Sequence, residues 1–248
     1  MSYLLSCLYL IWVVLISIIL FPIAVIIRLI TTPFDRRLIV LNFFSHFWGS
    51  LYFWTNPFWS LEITGKQHLP KDKPVVFISN HLSTIDVLVA SRLFTHFKWV
   101  SKIENFKIPF IGWTMYLNKY VAIKRGGLSS IKAMMKQSLK HLENGSPVFI
   151  FPEGSRAQDG HLKPFKTGAF KIAQDANVDI VPIVLTGTDK AVPKNSLHFK
   201  GHQHLKVEVL QPITVEQHQN LSLKELTALA QTQISAAQDQ ASTENSIV

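Results

Sequence analysis

The sequence predicts an α/β domain with a largely parallel sheet flanked by helices, preceded by an N-terminal membrane-anchoring helical segment. Two observations carry this. From Ser60 onward, short β-branched and aromatic runs alternate with segments whose apolar residues recur at helical spacing. Ahead of them, Tyr3 to Ile27 contains no charged residue and is mostly Leu, Ile and Val, long enough for a bilayer, which takes about 20 apolar residues as a helix.

The first run has no basic n-region and no small-x-small site after it, so a cleavable signal peptide fits poorly. Arg28, Arg36 and Arg37 follow it. By the positive-inside rule they put the bulk of the chain on the cytoplasmic side of the cell (inner) membrane. A second uncharged stretch, Leu38 to Leu61, is dense in Phe and Trp and holds Asn42, His46 and Asn56. Aromatic residues favour the headgroup level, so it reads as an interfacial helix; an amphipathic helix packed on the domain is the competing reading. Residues 1–60 are thus an expected membrane anchor, 61–213 an α/β domain, and 214–248 a C-terminal helix and disordered tail.

Expected strands are Leu61–Lys66, Val75–Ser79, Lys98–Ser101, Val121–Lys124, Val148–Phe151, Ile180–Leu185 and Leu205–Leu210, with helices at Ser83–Phe94, Phe110–Asn118, Ser129–Glu143 and Thr167–Asp175. A last helix is expected at Ser222–Gln233, followed by a Gln/Ala/Ser/Thr-rich disordered end. Pro182 interrupts the run Val181–Val184, which predicts an edge strand or a local bend because proline lacks a ladder donor.

The 248 residues carry a net charge of +9 and are 48% hydrophobic. That basicity calls for an anionic partner such as a membrane surface, a phosphorylated substrate or nucleic acid. A lone Cys7 inside the apolar run excludes an intrachain disulfide and offers neither an accessible nucleophile nor a zinc ligand. No G-x-G-x-x-G, P-loop, G-x-S-x-G or metal-spaced Cys/His cluster occurs, so no cofactor and no metal is expected. His198, His202 and His204 read as a polar loop.

Asn80-His81-Leu82-Ser83-Thr84-Ile85-Asp86 follows the apolar run Val75–Ser79. It places His81 at a strand tip and Asp86 in the first turn of the next helix, with Ser83 or Thr84 placed to cap. Across that turn a carboxylate can reach an imidazole, fix its tautomer and stabilise the imidazolium formed when it takes a proton. Ser83-x-x-Asp86 also fits a capping box, in which Asp86 merely closes the helix. Phe151-Pro152-Glu153-Gly154-Ser155-Arg156 exposes acidic, hydroxyl and basic groups after another strand. Lys124-Arg125-Gly126-Gly127 adds a basic pair ahead of a helix N-terminus, an arrangement suited to an anion. In a parallel sheet these turns share the ligand-binding edge.

In this order, the four blocks resemble those of the lysophospholipid acyltransferase family, most closely its bacterial 1-acyl-sn-glycerol-3-phosphate acyltransferases. Asn80–Asp86 looks like the N-H-x4-D block, Ile123-Lys124-Arg125 like I-x-R, Phe151–Arg156 like F-P-E-G-[TS]-R, and Val181–Val184 like the proline-containing block. Lys102-Ile103-Glu104 matches a pattern between the first two. Ala122 stands where many members have a bulkier apolar residue, and Ser155 replaces the commoner Thr.

The resemblance implies transfer of a fatty acyl group from acyl-CoA or acyl-carrier protein to the free hydroxyl of lysophosphatidic acid or a related lysolipid, on an anionic membrane. It makes His81 the general base and Asp86 its orienter. Arg125 and Lys102 would hold the acceptor phosphate, Glu153, Gly154, Ser155 and Arg156 would bind and position the acceptor, and Pro182 would shape the site. A different lysolipid acceptor and a non-catalytic lipid-binding protein are the alternatives; nucleic acid is not an expected partner.

Overall fold

The computed structural model describes residues 3–124, 126–157, 161–193 and 199–244, with side chains in the last segment through Ala241. Seven strands form one sheet: β1 (Trp59–Thr64), β2 (Val76–Ser79), β3 (Lys98–Lys102), β4 (Val121–Ile123), β5 (Val148–Ile150), β6 (Ile180–Thr186) and β7 (Gln203–Val209). Their order is β1-β7-β6-β2-β5-β3-β4, parallel throughout except for the antiparallel β6–β7 pair. The helices are α1 (Tyr3–Thr31), α2 (Ile39–Trp54), α3 (Asp86–Ser91), α4 (Ile111–Leu117), α5 (Leu128–Glu143), α6 (Gly168–Ala176), α7 (Thr188–Ala191), α8 (Val215–His218) and α9 (Leu223–Glu244).

Side-chain alternation splits the core into two layers. Phe77, Phe149, Val181, Ile183 and Leu185 face one way, onto Ile85, Val89 and Leu93 in and around α3. Val76, Ile78, Val148, Ile150, Ile180 and Val184 face the other, onto α5, α6 and α9. Both faces of the central strands are therefore covered, which explains why they are apolar without interruption.

Four expectations change. β6 is not an edge strand: it lies between β2 and β7, with every residue buried. Its proline is tolerated because the β7 ladder covers only Ile183–Thr186, and the carbonyl of Pro182 still accepts from Leu210 N–H at 2.9 Å. The missing donor thus falls where β7 has already ended. α3 begins only at Asp86 and stops at Ser91, and no side chain caps it. Ser83 Oγ donates instead to the carbonyl of Val192 at 2.7 Å. Finally, α9 does not end at Gln233 but runs through Glu244. Leu226, Ala230, Ile234 and Ala241 are buried and Ala237 packs beside them, so one apolar stripe continues through the stretch that composition marked as disordered.

α1 is long and apolar enough to cross a membrane. Its buried positions, Ser6, Tyr9, Ser17, Leu20, Ala24 and Thr31, form a stripe along the whole helix. Ser17 Oγ meets Tyr52 Oη at 2.7 Å, Trp12 Nε1 donates to Thr55 Oγ1 at 3.1 Å, and Phe21 packs edge-on against Phe110 and Trp113. The remaining face, including Leu8, Ile11, Leu15, Ile19, Ile26 and Ile30, is exposed. α2 combines the two readings of its sequence. Leu41, Asn42, His46, Trp48 and Phe53 are buried on the domain, while Val40, Phe43, Phe47 and Trp54 stay exposed.

A buried polar cluster docks α2 onto the amino-terminal end of β3. Asn42 Oδ1 accepts from Phe97 N–H (3.1 Å) and His96 Nδ1 (3.0 Å), and Asn42 Nδ2 donates to Tyr120 Oη (2.8 Å). His96 Nε2 faces Ser146 Oγ at 3.1 Å, and Lys98 Nζ donates to the carbonyl of Asn118 at 3.1 Å. With Nδ1 donating, the His96 ring is neutral and its Nε2 accepts. Burial, reinforced by the nearby Lys98 and Arg37 cations, pushes its pKa down to about 3, and burial alone is the main force holding Lys98 down to about 7.

For His96 the unfolded chain takes up a proton near pH 6.5 while the folded chain resists until about pH 3. Its contribution to stability is therefore complete above pH 6.5 and lost progressively as the pH falls through that window. His96→Gln, which keeps hydrogen-bonding capacity without titrating, is expected to flatten the acid limb. Thermal unfolding in detergent from pH 7 to pH 4 checks this, wild type falling more steeply than the variant.

Candidate active site

The strands β2, β5, β3 and β4 are parallel neighbours, so their carboxyl ends open on one sheet edge. His81 leaves the tip of β2, Phe151–Arg156 follows β5, Lys102 ends β3 and Lys124 follows β4. The β2–β5 register continues to put His81 level with Glu153. Adjacent strands are about 4.8 Å apart, so β3 and its Lys102 lie about 10 Å across the edge from β2.

His81 Nδ1 lies 2.8 Å from Asp86 Oδ2, with the imidazole side chain 20% exposed and the carboxylate fully buried. The same Oδ2 accepts the backbone N–H groups of Leu82 (2.7 Å) and Ser83 (2.9 Å). Asp86 thus does both jobs the sequence allows: it ties down the chain entering α3 and orients the histidine. With two backbone donors already on Oδ2, the carboxylate is held whether or not the imidazole is protonated. Nδ1 carries the hydrogen towards Asp86, leaving the Nε2 lone pair to take a proton.

The backbone of His81 is held from both sides by the turn after β5. Its N–H donates to Glu153 Oε1 at 2.7 Å, and its carbonyl accepts from Ala157 N–H at 2.7 Å. Glu153 Oε2 accepts from Lys163 N–H at 3.0 Å. Burial raises the Glu153 pKa, opposed by those two backbone donors and the nearby cationic groups. Both carboxylate oxygens are taken up by main-chain donors, so Glu153 fixes the loops that carry His81. Lys163 Nζ reaches Ser155 Oγ at 3.0 Å and the carbonyl of Arg156 at 2.8 Å, completing the turn. Gly154 sits at φ +68°, and an added Cβ would lie 2.9 Å from Lys166 Nζ; a side chain there is disfavoured on both counts.

Three contributors had no role assigned from the sequence, although two of them lie inside the motifs. Asn80 is fully buried, and its amide makes a two-way clamp on β6: Leu185 N–H donates to Oδ1 and Nδ2 donates to the Leu185 carbonyl, both at 2.8 Å. Phe151 stacks on the His81 ring with centroids 4.2 Å apart and planes at 19°. Trp99 stacks in turn on Phe151 at 5.8 Å and 15°. The asparagine beside His81 and the phenylalanine opening the third block were the only signals available.

Lys102 is half-buried on this edge and Arg156 partly exposed in the turn, while Arg125 lies outside the described residues. A model of the family described as Acyltransferase matches residues 60–186, a stretch that runs from the second residue of β1 to the end of β6 and includes every site position just described. The chain belongs to the acyltransferase family.

The chloroplastic 1-acyl-sn-glycerol-3-phosphate acyltransferase of Arabidopsis thaliana is 37% identical over 186 residues, which is 75% of this chain and 51% of that protein. The 1-acyl-sn-glycerol-3-phosphate acyltransferase of Borreliella burgdorferi is 28% identical over 154 residues, 60% of this chain and 62% of that protein. The chain spans about half the length of the plant and algal relatives it matches. The crystal structure of the 1-acyl-sn-glycerophosphate (LPA) acyltransferase PlsC from Thermotoga maritima shares the fold, with a TM-score of 0.80 over 98% of both chains at 20% identity. In this member of the family the mixed seven-stranded sheet and apolar N-terminal helix follow that architecture.

Glu153→Gln retains shape but turns an NH2 group towards one of two buried backbone donors, at a cost on the order of 1–3 kcal/mol. The unfolding temperature is expected to drop in Glu153→Gln and to stay nearer wild type in His81→Ala, since Asp86 Oδ2 keeps its two backbone donors there; parallel thermal melts distinguish the two.

Proposed function

We propose that the protein is a membrane-bound 1-acyl-sn-glycerol-3-phosphate O-acyltransferase. It moves a fatty acyl group from a thioester, acyl-CoA or acyl-carrier protein, to the sn-2 hydroxyl of lysophosphatidic acid, giving phosphatidic acid for phospholipid synthesis. The observation that carries the reading is the His81–Asp86 pair at the sheet edge, in which Nδ1 faces the carboxylate and Nε2 is left on the other side of the ring. Family membership and the names of the relatives point the same way.

In this reading His81 Nε2 takes the proton from the acceptor hydroxyl as its oxygen attacks the thioester carbonyl. The C–O bond forms, the tetrahedral intermediate collapses with cleavage of the C–S bond, and the imidazolium returns its proton to the departing thiolate. Asp86 stabilises the imidazolium in between. Lys102, at the end of β3 beside β5, and Arg125 attract the acceptor phosphate, helped by the net charge of +9. Ser155 and Arg156 line the turn that faces the acceptor, and Glu153 contributes by holding His81. The exposed face of α1 and the outward aromatics of α2 embed the enzyme in the cell membrane, with the sheet edge on the cytoplasmic side.

Acyl transfer from oleoyl-CoA and from acyl-carrier protein to lysophosphatidic acid, by protein in detergent, tests the reading. His81→Ala is expected to lower turnover by about 10²–10⁴, and Asp86→Asn by a similar factor through loss of the tautomer. Equal turnover in wild type and His81→Ala would overturn the mechanism. Turnover with another lysolipid but none with lysophosphatidic acid would overturn the substrate assignment.

A further inference from the structure

α9 lies outside the stretch that the family model matches, yet it reaches the catalytic loop at two points. It packs on β6 and α6 through Leu226, Ala230, Ile234 and Ala241. Gln231 and Gln238, seven residues and so about two turns apart, fall on nearly the same line of the helix. Gln231 Oε1 accepts from the backbone N–H of buried Phe165 at 3.0 Å. Two residues before it, Lys163 N–H donates to Glu153 Oε2, and Glu153 Oε1 holds the N–H of His81. Gln238 Oε1 faces Asn80 Nδ2 at 3.4 Å, on the residue that immediately precedes His81 and clamps β6.

One helix therefore supplies an acceptor on each side of the loop that carries the histidine. A helix ending at Gln233 would stop five residues before Gln238, about 7.5 Å short at 1.5 Å per residue. The continuation to Glu244 is what brings the second amide to Asn80.

We propose that Gln231 and Gln238 are positioning residues for the His81–Asp86 pair, acting through Phe165–Glu153 and through Asn80 without touching substrate. The inference rests on the acyl-transfer reading for its kinetic test, but its spectroscopic test does not. Both glutamines act through an acceptor oxygen, which Gln→Glu keeps and Gln→Met removes, and all three side chains have similar helix propensity.

The double variant Gln231→Met/Gln238→Met is compared in the full chain with wild type and with Gln231→Glu/Gln238→Glu. A displacement of the base by a fraction of an ångström to 1 Å is expected to lower kcat by about 10-fold or more. KM should stay within about twofold, and the Glu pair should recover most of the loss. Independently of turnover, the His81 Nδ1–H signal in 15N-edited NMR should broaden or shift in the Met pair and return in the Glu pair. An unchanged kcat and an unchanged His81 signal in the Met pair would overturn the inference. So would a loss that the Glu pair does not recover, or one that matches the fraction unfolded in a thermal melt at the assay temperature. Absence of acyl transfer in the wild type would count against the proposed function alone, leaving the His81 signal to decide this one.

Discussion

A single carboxylate oxygen, Oδ2 of Asp86, accepts three donors: the His81 ring and the backbone N–H groups of Leu82 and Ser83. Buried and surrounded in this way, it cannot move without stranding main-chain donors, each of which is costly to leave unpaired away from water. The chain between β2 and α3 is consequently a tight pocket wrapped around an anion that belongs to the protein itself. The orientation of His81 follows from that pocket, and so does the late start of α3: with the side chain of Asp86 turned back onto the preceding residues, Ser83 and Thr84 remain outside the helix, and Ser83 is released to bond Val192.

Around this centre the protein uses main-chain bonds more than side-chain pairs. Glu153 bridges the His81 and Lys163 N–H groups, Ala157 N–H returns to the His81 carbonyl, and Asn80 stitches the tip of β2 to Leu185 on β6. Bonds of this kind hold the loop in place while leaving the outer side of the imidazole open, its inner face covered by Phe151. The general-base role proposed for His81 needs that combination of fixed geometry and one nitrogen left to take a proton. The cost of burying Glu153, seen in its raised pKa, is offset by the two donors it satisfies.

The N-terminal helices are joined to the α/β domain by polar as well as apolar contacts. Asn42 links α2 to Phe97, His96 and Tyr120, while Tyr9, Ser17, Trp48 and Tyr52 form a chain of hydrogen bonds between α1 and α2. Dispersion and apolar contact with lipid would be equally good for either helix in many orientations; directional bonds select one. The sheet is thereby held in a set position relative to the apolar face of α1.

Much of this was legible in the chain itself. The period-2 and helical patterns located all seven strands to within a few residues, because a central strand covered on both faces must be apolar throughout and helices must show a stripe. The spacing of His81 and Asp86 across a strand-to-helix turn determined that they could meet. Local pattern was blind to pairing. That β6 is interior despite Pro182 depends on where β7 stops, a fact of register between strands about 20 residues apart in sequence. That Glu153 faces inward depends on Lys163 and His81 converging on it, and that α9 continues to Glu244 depends on β6 and α6 offering its small apolar residues a surface. Residue type and spacing decide what a segment is able to form; which of two compatible roles a buried polar group takes is decided by the partners that tertiary structure brings to it, since only they can replace the water it gave up.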